Sequence, residues 1–175
     1  MITRNLRAVL PGALLLAALA LSGCGGGTAP ADLIGDAQAA LSKGDYANSL
    51  TLFERADELL RGAEADDATS KQRYRARLGI VEAKIRLRDG DGARQDFATL
   101  AADHKDQVDW KVYQKVGRDL AENGCAVQAV EVLNQAEKAF PDRKEAFGEI
   151  IADIQSNAVE GSAEYEKLKA LGYVK

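Results

Sequence analysis

Between Tyr113 and Pro141 the chain alternates large and small residues in the spacing of a tightly packed helical hairpin. Tyr113, Val116, Leu120, Val130 and Leu133 recur at intervals of three and four, which puts them on one face of each of two helices. Two such helices approach closely where one presents a small residue to small residues of the other. Gly117 is therefore expected to meet Ala129 and Ala136. Glu122-Asn123-Gly124 forms the turn. Pro141 ends the second helix, because it offers no N–H and disfavours helical backbone at Phe140. A hairpin of this kind cannot bury its own apolar face, so it predicts neighbours.

The pattern Tyr113-x2-Val116-Gly117-x2-Leu120, then Ala129-x3-Leu133, Ala136 and Pro141, resembles the tetratricopeptide repeat, with aliphatic residues at its aromatic places. Gly44-Asp45-Tyr46, followed by Ser49-x3-Phe53 and Ala56, is similar to the turn and second helix of the same unit. The matching first helix, Leu33-x2-Asp36-Ala37-x2-Ala40, places Asp36 where an apolar residue is usual. Phe147-x2-Ile150-Ile151-x2-Ile154 falls 34 residues after the Tyr113 pattern, the period of this repeat. The resemblance implies an all-α domain over 31–175, a TPR-like right-handed α-solenoid of about three and a half helical hairpins. Ser162 to Leu171 would be its C-terminal capping helix. It also implies a concave groove that captures peptides or partner loops. The helices of Leu33, Gln72 to Arg86, Lys111 to Asp119 and Glu149 to Asp153 would line that groove.

The middle of the chain follows the pattern less closely. A long helix is expected from about Ser70 to Arg88, after a polar loop over Gly62 to Ser70. Tyr74, Leu78, Val81 and Ile85 form one apolar stripe on it, and Ala76, Ile80, Ala83 and Leu87 a second. A helix with two apolar stripes is sandwiched between two neighbours. Gly90 lies 34 residues before Gly124 and is read as the equivalent turn glycine. In that register Ala93, Phe97 and Leu100 run one residue out of phase with Ala126, Val130 and Leu133, and Asp96 falls at the place of Ala129.

The start of the chain is read as a targeting segment. Arg4 and Arg7 precede an apolar run from Ala8 to Leu21 of about 14 residues, shorter than the ~20 that span a bilayer as a helix. Leu21-Ser22-Gly23-Cys24 resembles a bacterial lipobox. The resemblance implies cleavage after residue 23, a diacylglycerol thioether on Cys24 and a firm membrane anchor. An ordinary secretory signal with an incidental cysteine is the plainer alternative. Residues 24–30 would be the lipidated cysteine and a glycine-rich tether. Gly25 stands where the sorting rule that this motif implies would need Asp for inner-membrane retention, which favours the periplasmic face of the outer membrane.

Removing the leader takes two of the chain's 23 basic residues and none of its 27 acidic ones, leaving a net charge of about −6. Such a balance argues against nucleic acid as a partner. With Cys24 assigned to lipid, Cys125 has no partner within the chain. It is either buried or open to an intermolecular bond, and its place at the start of a packed helix favours burial.

Enzymatic constellations are nearly absent from the sequence. His104, the single histidine, stands at an expected helix end, where it serves as a partner for the helix dipole. No Cys or His lies near it at metal-ligand spacing. Asp89-Gly90-Asp91-Gly92 is a turn, since no 12-residue acidic pattern ends in a bidentate Glu. No catalytic residue, metal or cofactor is expected.

The more specific feature is basic. Arg73, Arg77, Lys84 and Arg88 project within about 60° of one another on the long helix. They are candidates to receive an acidic partner segment or lipid headgroups. The competing reading is a solvated face paired with Glu54, Glu58 and the acidic loop. Trp110 is the only tryptophan. It is either an exposed partner anchor or packed against the preceding helix, the latter favoured. The expected function is a membrane-anchored periplasmic adaptor that binds a protein partner in envelope assembly or secretion, with no oligomeric state implied. The alternatives are an accessory protein of cell-wall or glycan processing and a spacer without a stable partner.

Overall fold

A computed structural model describes residues 29–64 and 66–174. The leader, Cys24 and the tether lie outside the described residues, apart from Ala29 and Pro30. The described residues are all-α, without strands. The helices are α1 (Pro30–Ser42), α2 (Tyr46–Arg61), α3 (Asp67–Arg86), α4 (Gly90–Asp103), α5 (Trp110–Glu122), α6 (Ala126–Ala139), α7 (Lys144–Asn157) and α8 (Ala163–Ala170). A short 3-10 turn, Pro141–Arg143, separates α6 from α7. Pro30 is the first residue of α1, where its missing N–H costs nothing. The acidic loop is shorter than expected: α3 begins at Asp67, capped by Asp66, whose side chain accepts from Thr69 N–H.

Four helix ends are built alike. Gly44, Arg88, Gly124 and Gly172 adopt left-handed φ values of 82°, 61°, 79° and 76°. The next N–H in each case reaches back to a carbonyl of the last turn: Asp45 to Ala40, Asp89 to Lys84, Cys125 to Leu120 and Tyr173 to Leu168, at 2.8 to 3.0 Å. This corrects the reading of Gly90. The residue equivalent to Gly44 and Gly124 is Arg88, while Gly90 is the first residue of α4 and is buried.

The phase shift of the second return helix then disappears. Counted from the N-caps Asp45, Asp89 and Cys125, three sets coincide: Ser49, Phe53 and Ala56; Ala93, Phe97 and Leu100; Ala129, Leu133 and Ala136. None of these nine residues is more than 1% exposed. Ser49 stays buried because its hydroxyl donates to Ala37 O at 2.9 Å. Asp96 does not share the place of Ala129.

Each helix packs on its chain neighbours through α1, α2, α3 and α4, and again through α5, α6 and α7. Between α4 and α5 the contact is made by rings, with Phe97 edge-on to Tyr113 at 4.8 Å. Contacts also join α1, α3, α5 and α7 in one row, and α4, α6 and α8 in another. The core follows this order. Leu33, Ala37, Phe53 and Ala76 join α1, α2 and α3. Val81, Ile85, Phe97, Leu100, Val116 and Leu120 fill the middle, and Leu133, Phe147 and Ile150 join α6 to α7. Leu168 of α8 is fully buried against Val127 and Val130 of α6.

The two stripes of α3 do face opposite clusters, although Leu87 at the end of the second is 42% exposed. Close approaches fall at glycines. A Cβ at Gly117 would stand 2.8 Å from the Leu133 side chain, so Leu133 is what fills the space that the glycine leaves. Gly79 fits against the ring of Phe53 so closely that a Cβ there would overlap it.

Candidate partner-binding surface

Helices α2 and α4 stand apart, and α3 forms the floor of a cleft of about 410 Å3 between them. The basic edge lies here. Arg73 Nε pairs with Asp57 of α2 at 3.2 Å, Arg77 with Asp103 of α4 at 2.6 Å, and Lys84 with Asp96 of α4 at 2.6 Å. Arg61 adds a second contact to Asp57 at 3.0 Å. The carboxylates that answer the basic edge are thus Asp57, Asp96 and Asp103, rather than Glu58 and the acidic loop. Glu54 lines the same cleft. Arg88 is not among them, because it sits in the turn beyond the helix end and is exposed.

The ionisation of these groups follows from their partners. Burial alone would lower Lys84, but the hydrogen bond and charge of Asp96 outweigh it and hold the ammonium above its ordinary value. The hydrogen bond from Arg77 lowers the Asp103 carboxyl. The cleft is therefore a ladder of satisfied ion pairs, and an incoming acidic segment must displace carboxylates of the chain itself.

A second cleft opens beside α1, α3 and α5, lined by Tyr46, Glu82, Arg86, Lys115 and Asp119. Lys115 reaches both Glu82 of α3 and Asp119, the latter at 2.9 Å. Burial lowers Lys115, and the hydrogen bonds it donates to the Glu82 and Asp119 carboxylates raise it above the ordinary lysine value.

Trp110 is half-buried in the cluster of Leu133, Phe140 and Phe147, with the Arg143 guanidinium 5.1 Å over its ring. It packs on the elements that follow it, not on the preceding helix. Cys125 is 5% exposed, and burial pushes its thiol up. His104 is the C-cap of α4 and is buried with its ring edge-on to Tyr74 at 5.7 Å. Burial, then the charge of Arg77, lower its pKa. The lowered pKa favours the neutral imidazole, which weakens its expected role as a charged partner of the helix dipole.

Sequence patterns alone point to Arg73, Arg77 and Lys84 correctly as one edge, but not to their partners on α2 and α4. Those lie across helix contacts that spacing within one helix does not encode. Among the described residues no group of three or more His, Cys, Asp or Glu is arranged to hold a metal, and no helix is long and apolar enough to cross a membrane. No protein-family model, curated protein or solved structure matches the chain.

Proposed function

We propose that the chain is a lipid-anchored adaptor of the bacterial cell envelope, a tetratricopeptide-like solenoid tethered through Cys24 that holds a protein partner on the periplasmic face of the outer membrane. The observation that carries the reading is the recurrence of one register after Asp45, Asp89 and Cys125, with two rows of helices in contact. A stack of this kind presents an extended surface whose side chains are free to vary while its core positions are fixed. The row of α1, α3, α5 and α7 is the face assigned to the partner, and α8 closes the open end. The lipobox-like Leu21-Ser22-Gly23-Cys24 supports the anchor, and the net charge of the chain disfavours nucleic acid. No catalytic role is proposed.

Crosslinking in intact cells with the full chain as bait tests this reading, with Cys24→Ser as the unanchored control. One dominant envelope protein, captured by the anchored form and lost or weakened with Cys24→Ser, is the expected result. Recovery of lipid and abundant bystanders alone would overturn the adaptor reading in favour of a spacer.

A further inference from the structure

The starts of α4 and α6 meet without space between them. A Cβ at Gly90 would stand 2.8 Å from Cys125 Sγ, and Gln128 Nε2 donates to Asp91 Oδ1 at 2.9 Å. One step along the chain, the corresponding junction between the starts of α6 and α8 is open. Ala126 takes the place of Gly90 as first helical residue, and Ser162 takes the place of Cys125 as N-cap. Between them lies a cavity of about 460 Å3, within the roughly 300–1,000 Å3 of ligand sites.

Its walls are mostly apolar, formed by Ala121, Ala126, Ile150, Ile154 and Ala158. Its charged lining is Glu122, Asp153 and Glu164 against the single Arg118. Glu164, its side chain 30% exposed, pairs through Oε1 with Lys167 at 3.2 Å, and its Oε2 has no hydrogen-bond partner. The N terminus of α8 does not answer it: Ser162 Oγ already accepts from Tyr165 N–H at 3.1 Å. A carboxylate with one unpartnered oxygen beside apolar walls suits a cation carried on a methylene stem. An anionic occupant would meet three carboxylates. Val159, 71% exposed at the edge of the cavity, offers an apolar contact to whatever flanks that cation.

We propose that this cavity receives a lysine or arginine side chain from a partner polypeptide, its stem along Ile150 and Ile154 and its cation on the carboxylate of Glu164, with Asp153 and Glu122 nearby. The existence of such a polypeptide rests on the adaptor reading; the chemistry of the cavity is testable without it. The full chain carrying Cys24→Ser is titrated with acetyl-Leu-Lys-Leu-amide, with the norleucine and glutamate analogues as comparisons, and backbone amide shifts are followed. The lysine peptide is expected to move the amides of Ala126, Ala158 and Glu164. The norleucine peptide should bind roughly tenfold more weakly, equivalent to about 1.4 kcal/mol, and the glutamate peptide should leave these amides in place.

Glu164→Gln, which keeps the shape of the side chain, should reduce the lysine peptide to the level of norleucine. Ala158→Leu, which fills the cavity from the loop, should reduce both. Equal binding of the lysine and norleucine peptides, an undiminished response in Glu164→Gln, shifts confined to another surface, or no response to the lysine peptide would each overturn the proposal. Failure here leaves capture in cells unaffected, and failure of capture leaves this titration unaffected, so the two readings fall separately.

Discussion

Arg88 holds at φ 61° the backbone position that Gly124 holds at φ 79° in the next hairpin, and both are followed by the same N–H to carbonyl closure. Left-handed backbone costs a residue with a Cβ about 1–2 kcal/mol, whereas glycine adopts it freely. Glycine loses more entropy on folding, which offsets part of the gain. Arg88→Gly is therefore expected to stabilise the chain by about 0.5–1 kcal/mol. The midpoint of urea unfolding should rise with its slope unchanged. A lower midpoint would mean that the exposed Arg88 side chain contributes more than its backbone costs.

Gly79, the single glycine of α3, is set against the ring of Phe53. Gly79→Ala forces the ring or the helix to move, and overpacking of this kind costs about 1–3 kcal/mol. Phe53→Leu leaves a shorter side chain opposite the new methyl, so the double variant should be less destabilised than the sum of the two single ones. Additive losses, measured by chemical unfolding of all three variants, would place the strain elsewhere.

These two glycines show what the sequence can carry. The all-helical class, the Tyr113 to Pro141 hairpin, the turn at Gly44 and the limits of α8 are legible, because local spacing and turn residues set them. The second hairpin is not, because its left-handed turn residue is an arginine. Gly90 therefore attracts the alignment, although its absent Cβ serves contact with Cys125. Gly79 escapes notice for a related reason: it belongs to neither apolar stripe of α3. In the basic cleft the cations are legible as a helical edge, while Asp57, Asp96 and Asp103 depend on how α2 and α4 flank α3.

Buried His104 gives the chain a specific response to acid. Its pKa is lowered in the fold by burial and by Arg77, and then Arg73, against the opposing charges of Asp103 and Asp57. With the folded pKa below the unfolded one, the unfolded state takes up the proton first as pH falls. The contribution of the neutral ring is fully present above about pH 6.5 and is lost progressively below it. His104→Gln should flatten the fall in stability between neutral pH and pH 5, read as the difference between the two unfolding curves. An identical slope in both proteins would show that the ring is protonated without cost in the fold.

Reversal of charge in the basic cleft tests whether its ion pairs hold α2 and α4 in place. Arg77 is only 14% exposed and Lys84 21%, while Asp103 and Asp96 remain more open at 50% and 38%. Pairs with one open partner contribute modestly, on the order of 0–1 kcal/mol, but reversal replaces attraction by repulsion. Arg77→Glu with Lys84→Glu sets two new carboxylates against Asp103 and Asp96, and a loss of about 1–2 kcal/mol is expected. The exchanged pair, Arg77→Asp with Asp103→Arg, restores opposite charges and should recover most of the loss at that rung. The destabilisation should also shrink in high salt, since the screening length falls to about 3 Å at 1 M. A double reversal without effect on stability would mean that the cleft is held open by the packing of Ile80 and its neighbours alone. In that case Arg73, Arg77 and Lys84 would be available to an acidic partner, and loss of capture on reversal could be read directly as loss of a contact. If stability falls as expected, only the exchanged pair separates a lost contact from a weakened fold.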